Sequence, residues 1–461
     1  MTSLIAVIDI GKTNAKLLLV DRADGSVVWS TERASASVAS GAPEALDTEL
    51  DVHGVWSWLI TELKSASGKE RIRAIVPVAH GAAMVMVDAA GEVVAAPDYE
   101  DAHFARFREQ YGALRDPFAA TFSPMLALGL NLGAQIFYLQ QVAPDLFARV
   151  RHILTYPQYW SWKLSRIAAS EATSLGTHTD LWRPIERRFS DLAVNQGWAK
   201  LLPPLRPARD ALGKLRPSVV EATGLSADCE VICGIHDSNA SYLAHRIARA
   251  EDESFAVVSS GTWCIILARG GDLGRLRETQ DMLANVDALG EPTPTARFMG
   301  GREYAAIAGP ALKTPPTLAG LDSVLAAGAM ALPSFAPAGP FATIKGSVLG
   351  AESLTGEGRS ALATLYCALM ADLLLERLGV TGAVIIDGPF AANPLFAPML
   401  RSLRPAQPVV SGGTRGGVAI AALWLAGETI ALEPPDAPPL DGPRGPDLRV
   451  YRDHWRSSLP V

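Results

Sequence analysis

Two short stretches of this chain carry residues whose types could hold a phosphate chain. Asp9-Ile10-Gly11-Lys12-Thr13-Asn14 stands between the apolar runs 4–8 and 17–20, and Ser259-Ser260-Gly261-Thr262 divides a second pair of apolar runs within 255–267. Turns of glycine and small hydroxyl residues expose backbone N–H groups to anionic oxygens. In the first turn Gly11 allows close approach, Thr13 and Asn14 offer donors, and Lys12 could add positive charge. Asp9 would be an odd phosphate neighbour unless a hydrated Mg²⁺ sat between them, since that ion takes one or two carboxylates and keeps several waters. Each turn alone is equally a tight hairpin chosen for backbone geometry. Two of the same kind point to two walls of one nucleotide site.

Three further segments place polar residues just after strand-like runs. Residues 230–244 read as a strand, a sharp turn and a helix, with Asp237 where the helix begins. Asp237 is either a helix N-cap or a carboxylate at the carboxyl end of a strand, able to accept a proton from an attacking hydroxyl. His80-Gly81 likewise ends a run, and the His is either a packing residue or a ligand. Asp387-Gly388-Pro389-Phe390-Ala391-Ala392-Asn393 is on its own a Gly-Pro turn. The aromatic run 156–162, with Trp56 and Trp58, could stack on a sugar, although core packing accounts better for most of it.

These residues need a scaffold of mixed type. Strands over 72–78 and 83–87 and helices over 133–141 and 156–164 define an α/β class. A second copy of the scheme has a helix over 358–378, a strand over 382–386 and a helix over 417–425, opening after Ser411-Gly412-Gly413-Thr414-Arg415-Gly416. Two related halves follow, joined near the charged segment 246–253, with a proline-rich, irregular stretch at 429–447. The 461 residues carry 41 Lys and Arg against 48 Asp and Glu, a net charge of −7, with no basic block to engage nucleic acid. Cys229, Cys233, Cys264 and Cys367 lack metal-finger spacing, so reduced thiols and no zinc are expected. The first apolar run is short, lacks a basic leader and is broken by Asp9, which argues against a signal peptide or membrane span and for a cytoplasmic location.

Taken in order, the segments resemble the FGGY carbohydrate kinases of the actin-like ATPase superfamily, over nearly the whole chain. The resemblance implies two actin-like (ribonuclease H-like) lobes with an interlobe active-site cleft, a sugar-binding lobe over 1–247 and a nucleotide-binding lobe over 248–461. It implies ATP and Mg²⁺ as cofactors, a small sugar as acceptor, and no nucleic-acid or membrane partner, with a homodimer left open. The stretch 9–16 looks like the family's first phosphate motif, placing Gly11, Lys12, Thr13 and Lys16 near the nucleotide and Asp9 at the metal. Ser260, Gly261 and Thr262 resemble the second phosphate turn, Gly388 and Asn393 the adenosine loop, and 411–417 the closing segment. Asp237 is then the general base, with His80, Gly81 and, more loosely, Tyr99 beside the sugar. Residues 133–141 and 156–181 are similar to the family's N-terminal sugar-binding region. Two residues depart from the pattern: Lys12 replaces a small hydroxyl residue, and Pro389 replaces a glycine close to the nucleotide. Lys12 with His236-Asp237-Ser238 leans towards kinases of fuculose or rhamnulose. The rivals are a non-catalytic sugar or nucleotide sensor of the same fold and, behind it, an actin-like phosphohydrolase.

Overall fold

Every residue of the strand Leu4–Ile10 except Asp9 is buried, because both of its faces are covered. Leu4, Ala6, Ile8 and Ile10 pack on one side with Val55, Leu59, Tyr159 and Trp160, while Ile5 and Val7 pack on the other with Ala240 and Leu243. A strand covered on both sides reads as a continuous apolar run, and a one-residue slip would exchange the two sets. The strand pairs antiparallel with Asn14–Asp21 and parallel with Ile72–Ala79. In the computed structural model, which describes residues 2–42, 44–412, 416–428 and 445–459, it is central to a seven-stranded sheet. The order is Ala211–Lys214, Glu230–Ile232, Ile72–Ala79, Leu4–Ile10, Asn14–Asp21 and Val27–Ala34, with Ile235–His236 also paired to Ile72–Ala79.

The described chain sorts into two compact units. The first holds Met1–Ala248 with Ala284–Pro292 and the helix Gly417–Leu425, and the second holds Arg249–Leu283 with the rest. The second unit repeats the device. Phe255–Ser260 pairs antiparallel with Cys264–Arg269 and parallel with Ala383–Asp387, which in turn pairs with Val409–Ser411. Within it the sheet order from Cys264–Arg269 runs through Phe255–Ser260 and Ala383–Asp387 to Val409–Ser411.

The expected helices are present as Leu132–Val142, Tyr156–Ser165, Gly356–Arg377 and Gly417–Leu425. Gly417–Leu425 follows the second sheet in sequence, yet its Ala419, Ala422 and Leu423 join the cluster of Ile5, Val7 and Leu243. A helix apolar around its circumference requires such a covered position. Gly356–Arg377 is long and apolar enough to cross a membrane, and 94% of its apolar window is buried by the protein itself. The aromatic run is core: Tyr159 and Trp160 are at most 1% exposed, and Trp56 and Trp58 pack against the same cluster. All four cysteines are buried free thiols. Residues 429–444 of the proline-rich stretch, and 413–415 of the glycine-rich closing segment, lie outside the described residues.

Candidate active site

Three neighbouring parallel strands of the first unit end in step. Ile10 pairs with Ala79, and Ala79 pairs with His236. The residues that follow them, Gly11, His80 and Asp237, therefore leave one edge of the sheet together, with Asp9 two positions before Gly11. The carboxyl edge of parallel strands is where ligands of open α/β sheets gather. Gly11 donates its N–H to the Asn14 carbonyl at 2.9 Å, closing the turn that carries Lys12 and Thr13.

Asp237 is the first residue of the helix Asp237–Ile247 and not its N-cap, which is His236 and makes no side-chain capping bond. Its Oδ1 accepts from the Ser238 N–H at 2.5 Å and the Ser238 hydroxyl at 3.2 Å, and lies 3.2 Å from His236 Nε2. His236 Nδ1 faces the Asn239 amide nitrogen at 3.2 Å, which sets it as acceptor and leaves the Nε2 proton for Asp237. Burial holds the His236 imidazole below its ordinary pKa, against the pull of Asp237. Gly81 keeps this arrangement open, since a Cβ there would lie 2.8 Å from His236 Nε2. Asp9, opposite Lys16 in the sheet, has its carboxyl pushed up to about 6 by burial and then by the charge of Asp237, with Lys16 opposing. The charge of Asp237 adds to the cost of ionising Asp9, a cost that a hydrated divalent cation beside Asp9 would relieve. The residues present therefore fit Mg²⁺.

A buried polar network holds the loop before Asp237. Gln158 Nε2 donates to the carbonyls of Cys233 and Gly234 at 3.1 and 3.2 Å, and Ser161 Oγ donates to Cys233 O at 2.8 Å. His236 N donates to Thr173 Oγ1 at 3.1 Å, and that hydroxyl donates to Glu171 Oε2 at 2.5 Å. Gly234, at φ +88°, approaches Pro77 so closely that a Cβ would sit 2.4 Å from its carbonyl oxygen. None of these four side chains was singled out in the sequence; the one visible cue is polar residues inside an otherwise aromatic run.

His80 donates through Nδ1 to the Gly81 carbonyl at 2.9 Å, so Nε2 is its acceptor. Burial keeps its imidazole below the ordinary pKa. Its ring meets the edges of Tyr156 at 5.1 Å and Tyr99 at 6.1 Å between centroids. The Tyr99 hydroxyl, pushed up to about 12 by burial and by the acids Glu100, Asp98 and Asp237, stays protonated as a donor. Lys12 does not present an open ammonium: its Nζ lies 2.5 and 2.6 Å from the two oxygens of Asp98.

In the second unit, Ser260, Gly261 and Thr262 share the wall of a cavity of about 600 Å³ with Gly301, Arg302, Tyr304, Leu312, Pro389, Phe390 and Asn393. Gly388, at φ +75°, lets the loop pass Ser260, where a Cβ would be 2.1 Å from the carbonyl oxygen. Ser260 Oγ ties the loop down, donating to Asp387 O at 2.6 Å and accepting from Phe390 N at 2.8 Å. Pro389 is tolerated because it opens a 3₁₀ turn, where no N–H is required. Asn393 Oδ1 accepts from the N–H groups of Leu395 and Phe396 at 3.0 and 3.1 Å, bracing the chain that enters the helix Phe396–Leu403. Gly301 passes the 261–262 turn at a distance that admits no side chain, a Cβ there falling 2.4 Å from Gly261 O. Gly301, Arg302, Tyr304 and Leu312 went unread in the sequence, although Gly300-Gly301 after a strand was the available signal.

The structure thus brings Asp9, Gly11, Lys12, Thr13, His80, Gly81, Tyr99 and Asp237 onto the first unit, and Gly261, Thr262, Gly388 and Asn393 onto the second. Repeated hairpin-led sheets of this kind define the two-domain actin-like kinase fold. The comparisons narrow the class. Residues 4–244 match the N-terminal domain of the FGGY family of carbohydrate kinases, and 252–434 match the FGGY carbohydrate kinase C-terminal domain. A carbohydrate kinase from Novosphingobium aromaticivorans is similar over 99% of this chain and 98% of its own, at 36% identity and a TM-score of 0.88. A xylulose kinase from Lactobacillus acidophilus shares the fold at 14% identity and a TM-score of 0.78, over 99% of this chain and 96% of its own. A rhamnulokinase from Halalkalibacterium halodurans is 28% identical over 135 residues, 29% of this chain and 27% of that protein's length. The chain belongs to the FGGY carbohydrate kinase family, and its class is that of sugar kinases.

Proposed function

We propose that the protein transfers the γ-phosphoryl group of ATP to a hydroxyl of a small neutral sugar, with 1–247 serving the sugar and 248–461 the nucleotide. The observation that carries this reading is the common edge from which Asp9, His80 and Asp237 emerge. Asp237 takes the proton of the attacking sugar hydroxyl as its oxygen bonds to the γ-phosphorus and the bond to the β-phosphate oxygen breaks, releasing ADP. His236, through its Nε2 proton, and the Ser238 N–H keep that carboxylate aimed. His80 accepts from, and Tyr99 donates to, the sugar's other hydroxyls. Gly11 and Thr13, with Gly261 and Thr262, receive the phosphates, and the second-unit cavity takes the adenosine. Mg²⁺, held by Asp9 through water, would neutralise charge on the phosphate oxygens. Phosphoryl transfer depends chiefly on such positioning and charge stabilisation.

For the acceptor we favour a ketose such as L-rhamnulose or L-fuculose, supported by His236-Asp237-Ser238 and by the partial match to a rhamnulokinase. The test is a coupled ADP-release assay over L-rhamnulose, L-fuculose, D-xylulose, D-gluconate and glycerol. Sugar-dependent ADP that is abolished in Asp237→Asn is the expected result. Binding of sugar and nucleotide without ADP would instead identify a sensor, and ATP hydrolysis without any sugar a phosphohydrolase.

A further inference from the structure

Lys12 sits at the tip of the first hairpin, but its charge is already committed. The Asp98 carboxylate that takes it at 2.5 and 2.6 Å is itself buried, and also accepts from the Ser37 hydroxyl and, at 3.0 Å, from the Glu100 N–H. Burial would raise the Asp98 carboxyl, yet the bonds from Lys12, Ser37 and Glu100 hold it below its usual range. A phosphate that captured Lys12 would leave Asp98 charged, buried and without its counter-ion, the costly way to break such a pair. The ammonium also lies 4.8 Å from the centroid of the Tyr99 ring, within cation–π range. The Tyr99 backbone is also held: its carbonyl accepts from Gly129 N at 2.9 Å. Gln135 Nε2 ties the Gly129 carbonyl at 2.6 Å to that of Ala82, next to Gly81, at 2.8 Å.

We infer that Lys12 is a positioning residue for the sugar acceptor and not a phosphate ligand: anchored on Asp98, it fixes the Tyr99 ring beside His80 and so sets affinity for the sugar. The inference rests on the sugar-kinase reading and assigns this hairpin residue to the other substrate from the one its place in the motif implies. A Lys at this position then tunes acceptor choice through Tyr99, without adding charge at the nucleotide.

The experiment compares Lys12→Met, Lys12→Arg, Asp98→Asn and the Lys12→Met/Asp98→Asn double variant in the full chain. Two quantities are read: KM for whichever panel sugar the wild type turns over best, and calorimetric affinity for Mg²⁺ with a non-hydrolysable ATP analogue. Lys12→Met is expected to raise sugar KM about tenfold or more while analogue affinity changes less than twofold. Lys12→Arg should recover most of that loss, and the double variant should be no worse than Lys12→Met alone. If Lys12→Met does not fold because Asp98 is orphaned, the double variant, which removes both charges, carries the same comparison. A tenfold loss of analogue affinity with sugar KM unchanged, or no change in either, would overturn the inference while leaving the kinase reading intact. A wild-type protein that forms no ADP with any panel sugar would defeat the kinase reading, and the inference with it.

Discussion

The hairpin of the first unit and the hairpin of the second share a backbone plan and differ in what they carry. In each, a glycine follows the last paired residue of the entering strand: Gly11 after Ile10, and Gly261 after Ser260. In each, the entering strand also pairs in parallel with a neighbour whose end bears a polar turn. The next-to-last residue of the entering strand is Asp9 in one and Ser259 in the other. The first tip is surrounded by ionisable groups, namely Lys12 on Asp98 and Asp9 within reach of Asp237. The second tip itself carries no charge, and it lines a cavity with Tyr304, Leu312, Phe390 and a cation, Arg302. Under the proposed function, one device would serve two purposes: ionisable groups where a proton and a phosphoryl group move, and an uncharged turn where a nucleoside is held.

If the comparison is right, the largest effect lies at the charged edge. Asp237→Asn should reduce kcat by about 10²–10⁴-fold, the range expected for a positioned general base, with nucleotide affinity kept by calorimetry. Full ATP-dependent phosphorylation by that variant would dissolve the distinction between the two tips. Next in size, Gly388→Ala should weaken ATP about tenfold or more, because the new methyl meets Ser260 at a positive φ. Its sugar KM, measured at saturating ATP, should stay near wild type; an unchanged ATP affinity would mean that the cavity is not the nucleoside's. Thr262→Val should be milder, weakening ATP by about 3–10-fold in keeping with one neutral hydrogen bond. A larger effect on sugar than on ATP would assign the second turn to the acceptor.

A last effect concerns stability and leaves the two tips' chemistry aside. Glu171, buried beneath the Asp237 loop, has its carboxyl pushed up to about 7 by burial, despite bonds from Thr173 and Ser174. The folded protein therefore binds this proton more tightly than the unfolded chain does. The stability it contributes is complete below about pH 4.5 and is lost as pH rises to about 7, a change on the order of 3 kcal/mol. Glu171→Gln should flatten the melting temperature against pH between about 5 and 7. A profile as steep as the wild type's would show that this carboxyl does not titrate there.

The parts of this design visible in the sequence are those with local signals. The hairpins showed as apolar runs flanking Gly and Thr, and Asp237 and His80 showed as polar residues directly after strand-like runs. The N-cap account of Asp237 gave way because the helix starts one residue earlier than a cap at 237 would require. What the sequence concealed is long-range. Asp98, which takes the Lys12 charge, lies 86 residues away. The anchors Gln158, Ser161 and Thr173 meet the 232–236 loop across more than 60 residues. Such pairings arise from strand order and crossover packing, which no short window contains. The role of 413–415 in the glycine-rich closing segment lies outside the described residues.

The central claim, that the edge carrying Asp9, His80 and Asp237 performs phosphoryl transfer to a sugar, is tested most directly by ADP release from the wild-type protein with and without each panel sugar. The account predicts ADP in step with phosphorylated sugar for at least one neutral sugar, and none without it. Equal ADP release in the absence of every sugar, or no ADP with any, would contradict it.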